Sequence, residues 1–263
     1  MKLDTIMTRY PETVAPTDTL ISARDRMVWG GLRHLPVVDN DRVIGVLSDR
    51  DIAAHQARTG ESLWSSPGDT VQMAMTTPVQ TAGPADSVIE AMARIASSKI
   101  GCLPITDEGK LVGLVTAIDL MVAEVRAHTE SPAKGGPSVA DVMTKNPQIV
   151  HPGDRLLDAV ARMRELQVRH LPVVDDDGIV VGILSDRDVR TAVGDPSRPM
   201  PKSNEFRVIG AMSAPVMIVK PTQSIKEVAR MFAGFEPGAF PVVDDHRKLL
   251  GIVSYVDVLR ALA

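Results

Sequence analysis

The hydrophobic positions of this chain follow a helical period in four places. In the first place, Leu20, Ala23 and Met27 are spaced i, i+3 and i+7, which puts them on one face of a helix. The matching positions further along the chain are also apolar: Val88, Ala91, Ile95, Leu156, Ala159, Met163, Ile225, Val228 and Phe232. The pattern therefore predicts four helices that each bury one face, and Thr17 or Asp18 is the predicted cap of the first.

Hydrophobic runs of strand length surround each of these helices. In the first copy, a short strand at 13–15 is predicted before the helix. Two runs rich in Val, Leu and Ile, at 35–38 and 43–47, follow the helix and flank a polar turn, which indicates a β-hairpin. A second helix is predicted from near Ser48. Each repeat is therefore expected to fold as β-α-β-β-α, and the chain as a whole is expected to be of the α+β class.

The hairpin and the start of the second helix are the most constant part of the repeat. The four versions read RHLPVVDNDRVIGVLSDRD at 33–51, GCLPITDEGKLVGLVTAID at 101–119, RHLPVVDDDGIVVGILSDRD at 169–188 and GAFPVVDDHRKLLGIVSYVD at 238–257. One proline and one glycine recur in register: Pro36, Pro104, Pro172, Pro241, Gly45, Gly113, Gly182 and Gly251. This recurrence identifies an internal four-fold repeat. The turn is one residue longer in the last two copies, which suggests a two-repeat module in each half.

Composition and charge narrow the classes of function. The net charge of −4 gives the chain no overall basic field, so neither a nucleic acid nor an anionic membrane is an expected partner. No apolar run reaches the roughly 18 residues of a membrane span, and the N-terminus lacks an apolar signal segment, so we expect a cytoplasmic protein. Cys102 is the one cysteine of the sequence, which excludes an internal disulfide framework and a Cys-rich metal site.

The repeated unit resembles the CBS domain, named after cystathionine β-synthase. The resemblance rests on the β-α-β-β-α order, on the LPVVD strand, and on a glycine-containing strand followed by [S/T]-x-x-D. It covers nearly the whole chain, at 1–58, 70–125, 138–193 and 208–262. CBS domains pair into Bateman modules, which implies two tandem modules here, 1–126 and 138–263. This layout is similar to that of the gamma subunit of AMP-activated protein kinase.

Linker composition agrees with this division of the chain. The polar stretch 126–137 is rich in Gly and Pro and is the predicted boundary between modules. The stretches 59–69 and 194–207 are predicted to separate the repeats within each module.

The resemblance also implies a function. CBS domains commonly bind adenosine ligands, such as AMP, ADP, ATP or S-adenosylmethionine, in clefts between paired repeats, and they regulate an associated protein. We therefore expect a regulatory protein, not an enzyme, that binds an adenine nucleotide, signals to an unidentified effector protein and self-associates. No cofactor is required, and Mg²⁺ is expected only as the companion of a bound polyphosphate.

Other functions stay open at this stage. The ligand could instead be S-adenosylmethionine or a dinucleotide. The repeats could also form an interaction scaffold that binds no ligand. An enzyme acting on a nucleotide phosphate has only the basic residues of the hairpin in its favour. The sequence contains no Walker A motif, no G-x-G-x-x-G before a helix, no G-x-S-x-G and no H-E-x-x-H.

A hydroxyl and a carboxylate stand at the start of every second helix. The four sets are Ser48 and Asp51, Thr116 and Asp119, Ser185 and Asp188, and Ser254 and Asp257. Ser-x-x-Asp is a helix-capping pattern, which alone explains its presence in all four repeats. An Asp carboxylate can also accept hydrogen bonds from both hydroxyls of a ribose, and the CBS resemblance implies this second role. The two roles are compatible.

Three basic positions are filled in repeats 1 and 3 and empty in repeats 2 and 4. They are Arg33, His34 and Arg50 in repeat 1, and Arg169, His170 and Arg187 in repeat 3. Scattered surface charge has no reason to fill and empty together, whereas cations facing a ribose-binding carboxylate suit a phosphate. We therefore predict two nucleotide sites, centred on repeats 1 and 3. The sites at Thr116 and Asp119 and at Ser254 and Asp257 are expected to be weaker or vacant.

The adenine base is expected in an apolar slot lined by valines near the hairpin strands. The residues concerned are Val14, Val37, Val150 and Val173. No metal site is predicted, because the remaining histidines share no ligand spacing and fit surface or internally satisfied positions: His55, His128, His151 and His246. Cys102 is expected to be a small core residue.

Overall fold

The structure is a computed structural model that describes residues 1–60, 63, 65–98, 100–127, 136–192, 206–235 and 237–263. Its α-helices are α1 (Leu20–Gly30), α2 (Asp49–Thr59), α3 (Val88–Ser98), α4 (Ala117–Ala127), α5 (Val139–Val142), α6 (Leu156–Glu165), α7 (Asp186–Ala192), α8 (Ile225–Phe235) and α9 (Tyr255–Leu262). Its strands are β1 (Thr8–Arg9), β2 (His34–Asp39), β3 (Arg42–Ser48), β4 (Cys102–Asp107), β5 (Lys110–Thr116), β6 (Thr144–Lys145), β7 (His170–Val174), β8 (Val180–Ser185), β9 (Ala239–Val243) and β10 (Leu249–Ser254).

The described residues divide into two compact units, residues 1–123 and residues 124–263. The first unit contains repeats 1 and 2, and the second contains repeats 3 and 4. The predicted module boundary at 126–137 and the predicted linker at 194–207 lie mostly outside the described residues, as does part of the linker at 59–69. The α+β class and the four repeats are confirmed.

The first helix of each repeat buries the predicted face. Leu20, Ala23 and Met27 of α1 are all buried, and so are the nine matching residues of α3, α6 and α8. The predicted cap of α1 was wrong, because Thr19 is the N-cap and its side chain accepts a hydrogen bond from the Ser22 N–H. Asp18 instead accepts from the Ala15 N–H at 3.0 Å, which fixes the turn before the helix.

The hairpins form where the sequence predicts them, and their turns differ between the two units. In repeat 1, Asn40 and Asp41 have φ angles of 47° and 65°, as a two-residue type I′ turn requires. In repeat 3 the longer turn is closed by the Asp175 carboxylate, which accepts hydrogen bonds from the N–H groups of Asp177 and Ile179. The extra residue therefore changes the turn and removes the strand pair next to it, while the other five pairs of the hairpin remain.

The predicted strand at 13–15 is reduced to one paired residue. Val14 forms an isolated parallel bridge with Val37, in which the Val14 N–H donates to the Pro36 carbonyl and the Val38 N–H donates to the Val14 carbonyl. The other three repeats make the same single bridge. A longer strand was the wrong expectation, although the predicted segment does join the hairpin.

Paired repeats exchange their N-terminal segments. The segment that opens repeat 1 pairs with the hairpin of repeat 2, since β1 is antiparallel to β5. The segment that opens repeat 2 returns the contact, because Thr76 bridges Val46 of β3. In the second unit, β6 pairs with β10 and Ser213 bridges Ile183. Repeats 1 and 2 therefore form one pair, and repeats 3 and 4 form another.

This exchange explains the recurring methionines and glycines. A Cβ atom at Gly45 would lie 2.8 Å from the Met75 sulfur, and one at Gly182 would lie 2.8 Å from the Met212 sulfur. Real Cβ atoms do not approach heavy atoms so closely, so only glycine lets the exchanged methionine pack on the strand. None of the helices in the described ranges combines the length and apolar character needed to cross a bilayer.

Candidate functional site

The Ser–Asp sets form complete caps at the starts of the second helices. In repeat 1, the Asp51 Oδ2 accepts from the Ser48 N–H at 2.7 Å and from the Ser48 hydroxyl at 2.6 Å. The Asp51 N–H in turn donates to the Ser48 Oγ at 3.2 Å. The same three hydrogen bonds recur at Asp119, Asp188 and Asp257. The capping interpretation is thus confirmed in all four repeats, and it uses only the Oδ2 atom.

The second carboxylate oxygen separates repeats 1 and 3 from repeats 2 and 4. The Oδ1 of Asp51 accepts from the Thr76 hydroxyl at 3.2 Å, and the Oδ1 of Asp188 accepts from the Ser213 hydroxyl at 2.8 Å. Both hydroxyls come from the segment exchanged by the partner repeat. In the described part of the chain, their counterparts Thr8 and Thr144 make no such hydrogen bond.

Thr76 and Ser213 are candidate site residues that the sequence reasoning missed. A signal was present, because each follows the recurring methionine of its repeat, at Met75 and Met212. The sequence did not reveal the exchange of segments, which brings each hydroxyl to the carboxylate of the other repeat.

His34 does not have the charge that the sequence suggested. Burial lowers the pKa of His34 to about 4, and the neighbouring Arg33 and Arg50 cations act in the same direction, although the Asp49 and Asp51 carboxylates oppose them. Its ring lies against repeat 2, since a Cβ atom at Gly101 would overlap it. The expectation of a phosphate-binding cation at His34 is therefore corrected, because the imidazole is neutral near pH 7.

The same packing occurs in the second unit. A Cβ atom at Gly238 would overlap the His170 ring. The histidine of repeats 1 and 3 therefore requires a glycine at the facing position of repeats 2 and 4, because a larger residue there would overlap the ring. Part of the two-fold pattern of basic residues is explained by packing within each pair, without a ligand.

The two arginines at the hairpin starts differ in their surroundings. Arg33 is exposed. Arg169 is half-buried, and its Nη1 donates to the Tyr255 hydroxyl at 3.2 Å. Tyr255 is the first residue of α9 in repeat 4. The guanidinium of Arg169 therefore reaches across the pair, toward the Ser254–Asp257 helix start that was expected to be weak or vacant.

The arginines beside the carboxylates lie on the first turns of the second helices. Arg50 is half-buried on α2, and Arg187 is exposed on α7. Each is the residue immediately before the capping Asp, so each cation lies on the same helix start as a candidate ribose ligand. A helix N-terminus also favours a bound anion.

The remaining predicted positions are buried. Val14 and Val37 are 2% and 0% exposed within the hydrophobic core of the first unit, and Val150 and Val173 are 1% and 0% exposed within that of the second. Their side chains pack in the core, so they do not line an open slot for a base. Cys102 is buried as expected, and burial together with the Asp51 carboxylate raises the pKa of its thiol to about 12.

His55 is an internally satisfied histidine, as the sequence suggested. It is 3% exposed, its Nε2 lies 2.7 Å from the Asp69 Oδ2, and its Nδ1 lies 3.0 Å from the Arg58 Nη2. Both ring nitrogens are therefore occupied. No cluster of three or more His, Cys, Asp or Glu side chains suited to a metal ion occurs among the described residues, from which His128 is missing.

Comparison with known proteins agrees with the repeat structure. The sequence profile described as CBS domain matches residues 3–58, 70–126, 139–195 and 207–263. An uncharacterised protein of Methanocaldococcus jannaschii, MJ1225, is 26% identical over an alignment of 271 positions, which covers 95% of each chain. The crystal structure of MJ1225, proposed to be an archaeal homologue of g-AMPK, matches the whole of both chains with a TM-score of 0.83 and 25% identity.

Two further proteins show a similar extent of likeness. The uncharacterised protein MJ1404 of Methanocaldococcus jannaschii is 26% identical over an alignment of 272 positions, which covers 98% of this chain and 61% of that protein. An uncharacterised conserved protein of Pyrococcus horikoshii matches over the whole of both chains with a TM-score of 0.71 and 23% identity, which shows a shared fold.

Proposed function

The chain belongs to the CBS domain family, and on this premise we propose that each of its two repeat pairs binds an adenine nucleotide and reports the binding to a partner protein. A regulatory role follows from the family. The nucleotide, the sites and the signal to an effector are the proposal.

The observation that carries the proposal is the arrangement at Asp51 and Asp188. At both positions the cap holds Oδ2, and a hydroxyl from the paired repeat reaches Oδ1. The hydroxyl proton is donated to the carboxylate, so the carboxylate oxygen and the hydroxyl oxygen offer two acceptors to which the two hydroxyls of a ribose can donate. Because the hydroxyl and the carboxylate come from different repeats, a ribose bound here would contact both.

We assign the positive charge that would bind the phosphate to arginine side chains alone. Arg33 and Arg50 serve the first pair, and Arg169 and Arg187 serve the second. A guanidinium is always charged and presents several N–H donors in a plane, whereas His34 is neutral near pH 7. Each charge-assisted hydrogen bond is worth about 1.5–3 kcal/mol, so two would favour a nucleotide over a nucleoside.

The proposed mechanism is linkage between binding and the arrangement of paired repeats. A ligand that contacts both repeats stabilises the arrangement in which Thr76 lies against Asp51, or Ser213 against Asp188. A partner protein that recognises this arrangement then binds more tightly in the presence of the nucleotide, and by reciprocity the partner tightens nucleotide binding.

A thermal-shift panel tests the proposal. The ligands are AMP, ADP, ATP, S-adenosylmethionine, a cyclic dinucleotide and adenosine, each added to the full chain. A ligand at 100 times its dissociation constant stabilises the folded protein by about 2.7 kcal/mol, so AMP, ADP or ATP should raise the melting temperature by several degrees. If only S-adenosylmethionine raises the melting temperature, it is the ligand instead of a nucleotide. If no ligand raises the melting temperature, an interaction scaffold that binds no ligand is favoured.

A further inference from the structure

Tyr255 stands at a position where the other repeats have no aromatic residue. The counterparts in repeats 1, 2 and 3 are Asp49, Ala117 and Asp186. Tyr255 opens α9, and its N–H donates to the Gly238 carbonyl at 3.4 Å. The other repeats make the same backbone contact without a tyrosine, so the fold does not require this side chain.

The Tyr255 hydroxyl and the start of α7 hold Arg169 from two sides. The Arg169 carbonyl accepts from the Asp186 N–H at 3.0 Å, and its Nη1 donates to the Tyr255 hydroxyl at 3.2 Å. Arg169 therefore connects the first residues of α7 and α9. In the first unit, the Arg33 carbonyl accepts from the Asp49 N–H at 3.2 Å in the same way.

The arginine side chain of the first unit lacks the second contact. The counterpart of Tyr255 there is Ala117, whose methyl group offers no acceptor, and Arg33 is exposed. A long side chain that is already ordered loses less conformational entropy when it binds an anion. The phenol oxygen takes one N–H of the Arg169 fork, and the remaining donors of the guanidinium suit a phosphate.

We infer that Tyr255 is a positioning residue that holds the Arg169 guanidinium ready for the phosphate of a nucleotide bound to the second repeat pair. The inference rests on the proposed function. It also implies that the two pairs differ in their ligand preference, because the affinity of the second pair depends more strongly on a phosphate group than that of the first. The second pair therefore discriminates AMP from adenosine better than the first.

Calorimetric titration of the full chain tests the role of Tyr255 in the second pair. AMP and adenosine are titrated into an Asp51→Asn protein, in which the first site is disabled, with and without Tyr255→Phe. Without the Tyr255 hydroxyl, AMP must order the Arg169 side chain when it binds, so AMP affinity should fall by about 3- to 10-fold while adenosine affinity stays unchanged. Tyr10→Phe is the matched control, because Tyr10 is the other tyrosine and is 94% exposed. Equal AMP affinity with and without Tyr255→Phe would overturn the inference.

A second measurement examines the positioning without any ligand. Nitrogen-15 NMR relaxation of the arginine Nε–H groups reports their mobility, and Arg169→Lys and Arg33→Lys variants assign the two signals. Arg169 should be rigid in the natural protein and mobile in Tyr255→Phe, whereas Arg33 should be mobile in both. An Arg169 signal as mobile as that of Arg33 would overturn the positioning role, while rigidity without any AMP binding would contradict only the proposed function.

Discussion

At the level of single residues, the carboxylate of Asp51 divides its two oxygens between different partners. The Oδ2 atom caps α2 through Ser48, and the Oδ1 atom accepts from Thr76 of the paired repeat. Capping explains why the residue recurs in every repeat. The second contact occurs in repeats 1 and 3, and this is where a ligand would bridge the two repeats.

Single residues were predictable from the sequence when their partners lie close along the chain. Ser48 and Asp51 are three positions apart, so their cap could be predicted from the Ser-x-x-Asp pattern alone. The Thr76 contact spans 25 positions and the His34–Gly101 contact spans two repeats, so neither produces a local pattern. His34 was taken for a cation because the sequence does not show burial.

Half-buried, neutral His34 gives the first unit a specific sensitivity to acid. Its pKa is about 4 in the folded protein and 6.5 in the unfolded chain. Between these values the unfolded chain binds more protons, so stability is fully present above pH 6.5 and is lost as the pH falls toward 4. We expect a loss of about 1–3 kcal/mol from this group.

Differential scanning calorimetry at pH 7 and pH 4.5 measures this loss. Glutamine cannot be protonated. The melting temperature of the His34→Gln protein should therefore fall less from pH 7 to pH 4.5 than that of the natural protein. His246→Gln is the control, because His246 is exposed on a hairpin turn. An equal acid effect in the natural protein and in His34→Gln would contradict the account of His34.

At the level of elements, the structure is built from hairpins that receive a segment from the paired repeat. The periodicity predicted the helices and hairpins, because each buries one face by a local pattern. It overestimated the strand at 13–15, where a single bridge at Val14 joins the hairpin. Hydrophobic periodicity could not predict the exchange of segments, although the recurring methionines and glycines are the residues that pack together because of it.

The fit of His34 against Gly101 gives a prediction for the packing of repeat 1 against repeat 2. Gly101→Ala places a Cβ atom on the His34 ring, so we expect the first unit to lose about 1–3 kcal/mol of unfolding free energy. Adding His34→Ala removes the overlap, and the coupling between the two changes should be about 0.5–3 kcal/mol. Urea denaturation followed by circular dichroism measures all three variants.

A glycine with free space around it supplies the control for this cycle. Gly153 has no heavy atom within 4 Å of a Cβ position, so Gly153→Ala should leave stability nearly unchanged. If Gly101→Ala were as harmless as Gly153→Ala, or if the two changes at Gly101 and His34 were simply additive, the packing explanation for the paired His and Gly positions would be wrong.

At the level of the whole molecule, a four-fold structural repeat becomes two pairs with one arginine-bearing repeat each. The comparison of repeats found this two-fold pattern in the sequence, because the fold alone requires the residues common to all four copies. The reason for the pattern needed the structure. The histidine of each pair packs against the glycine of the paired repeat, and the arginines are the residues of the pattern that are always charged.

We expect each pair to bind one adenine nucleotide, with the ribose at Asp51 in the first pair and at Asp188 in the second. Replacing any of the four carboxylates by Asn weakens the hydrogen bonds that the carboxylate accepts from the capping Ser or Thr, at a cost of about 0.5–1.5 kcal/mol. Asp119→Asn therefore matches Asp51→Asn at the helix cap, whereas only Asp51→Asn also changes the contact with Thr76 of the paired repeat. Any difference between them in nucleotide binding belongs to the site.

Calorimetric titration of AMP, and of ATP if AMP does not bind, into the natural protein and the Asp51→Asn, Asp188→Asn and Asp119→Asn variants tests this claim most directly. We expect two nucleotides bound per natural chain, one per chain in Asp51→Asn and in Asp188→Asn, and two in Asp119→Asn with affinity unchanged within about threefold. Loss of a nucleotide in Asp119→Asn but not in Asp51→Asn, or no binding to the natural chain, would contradict it.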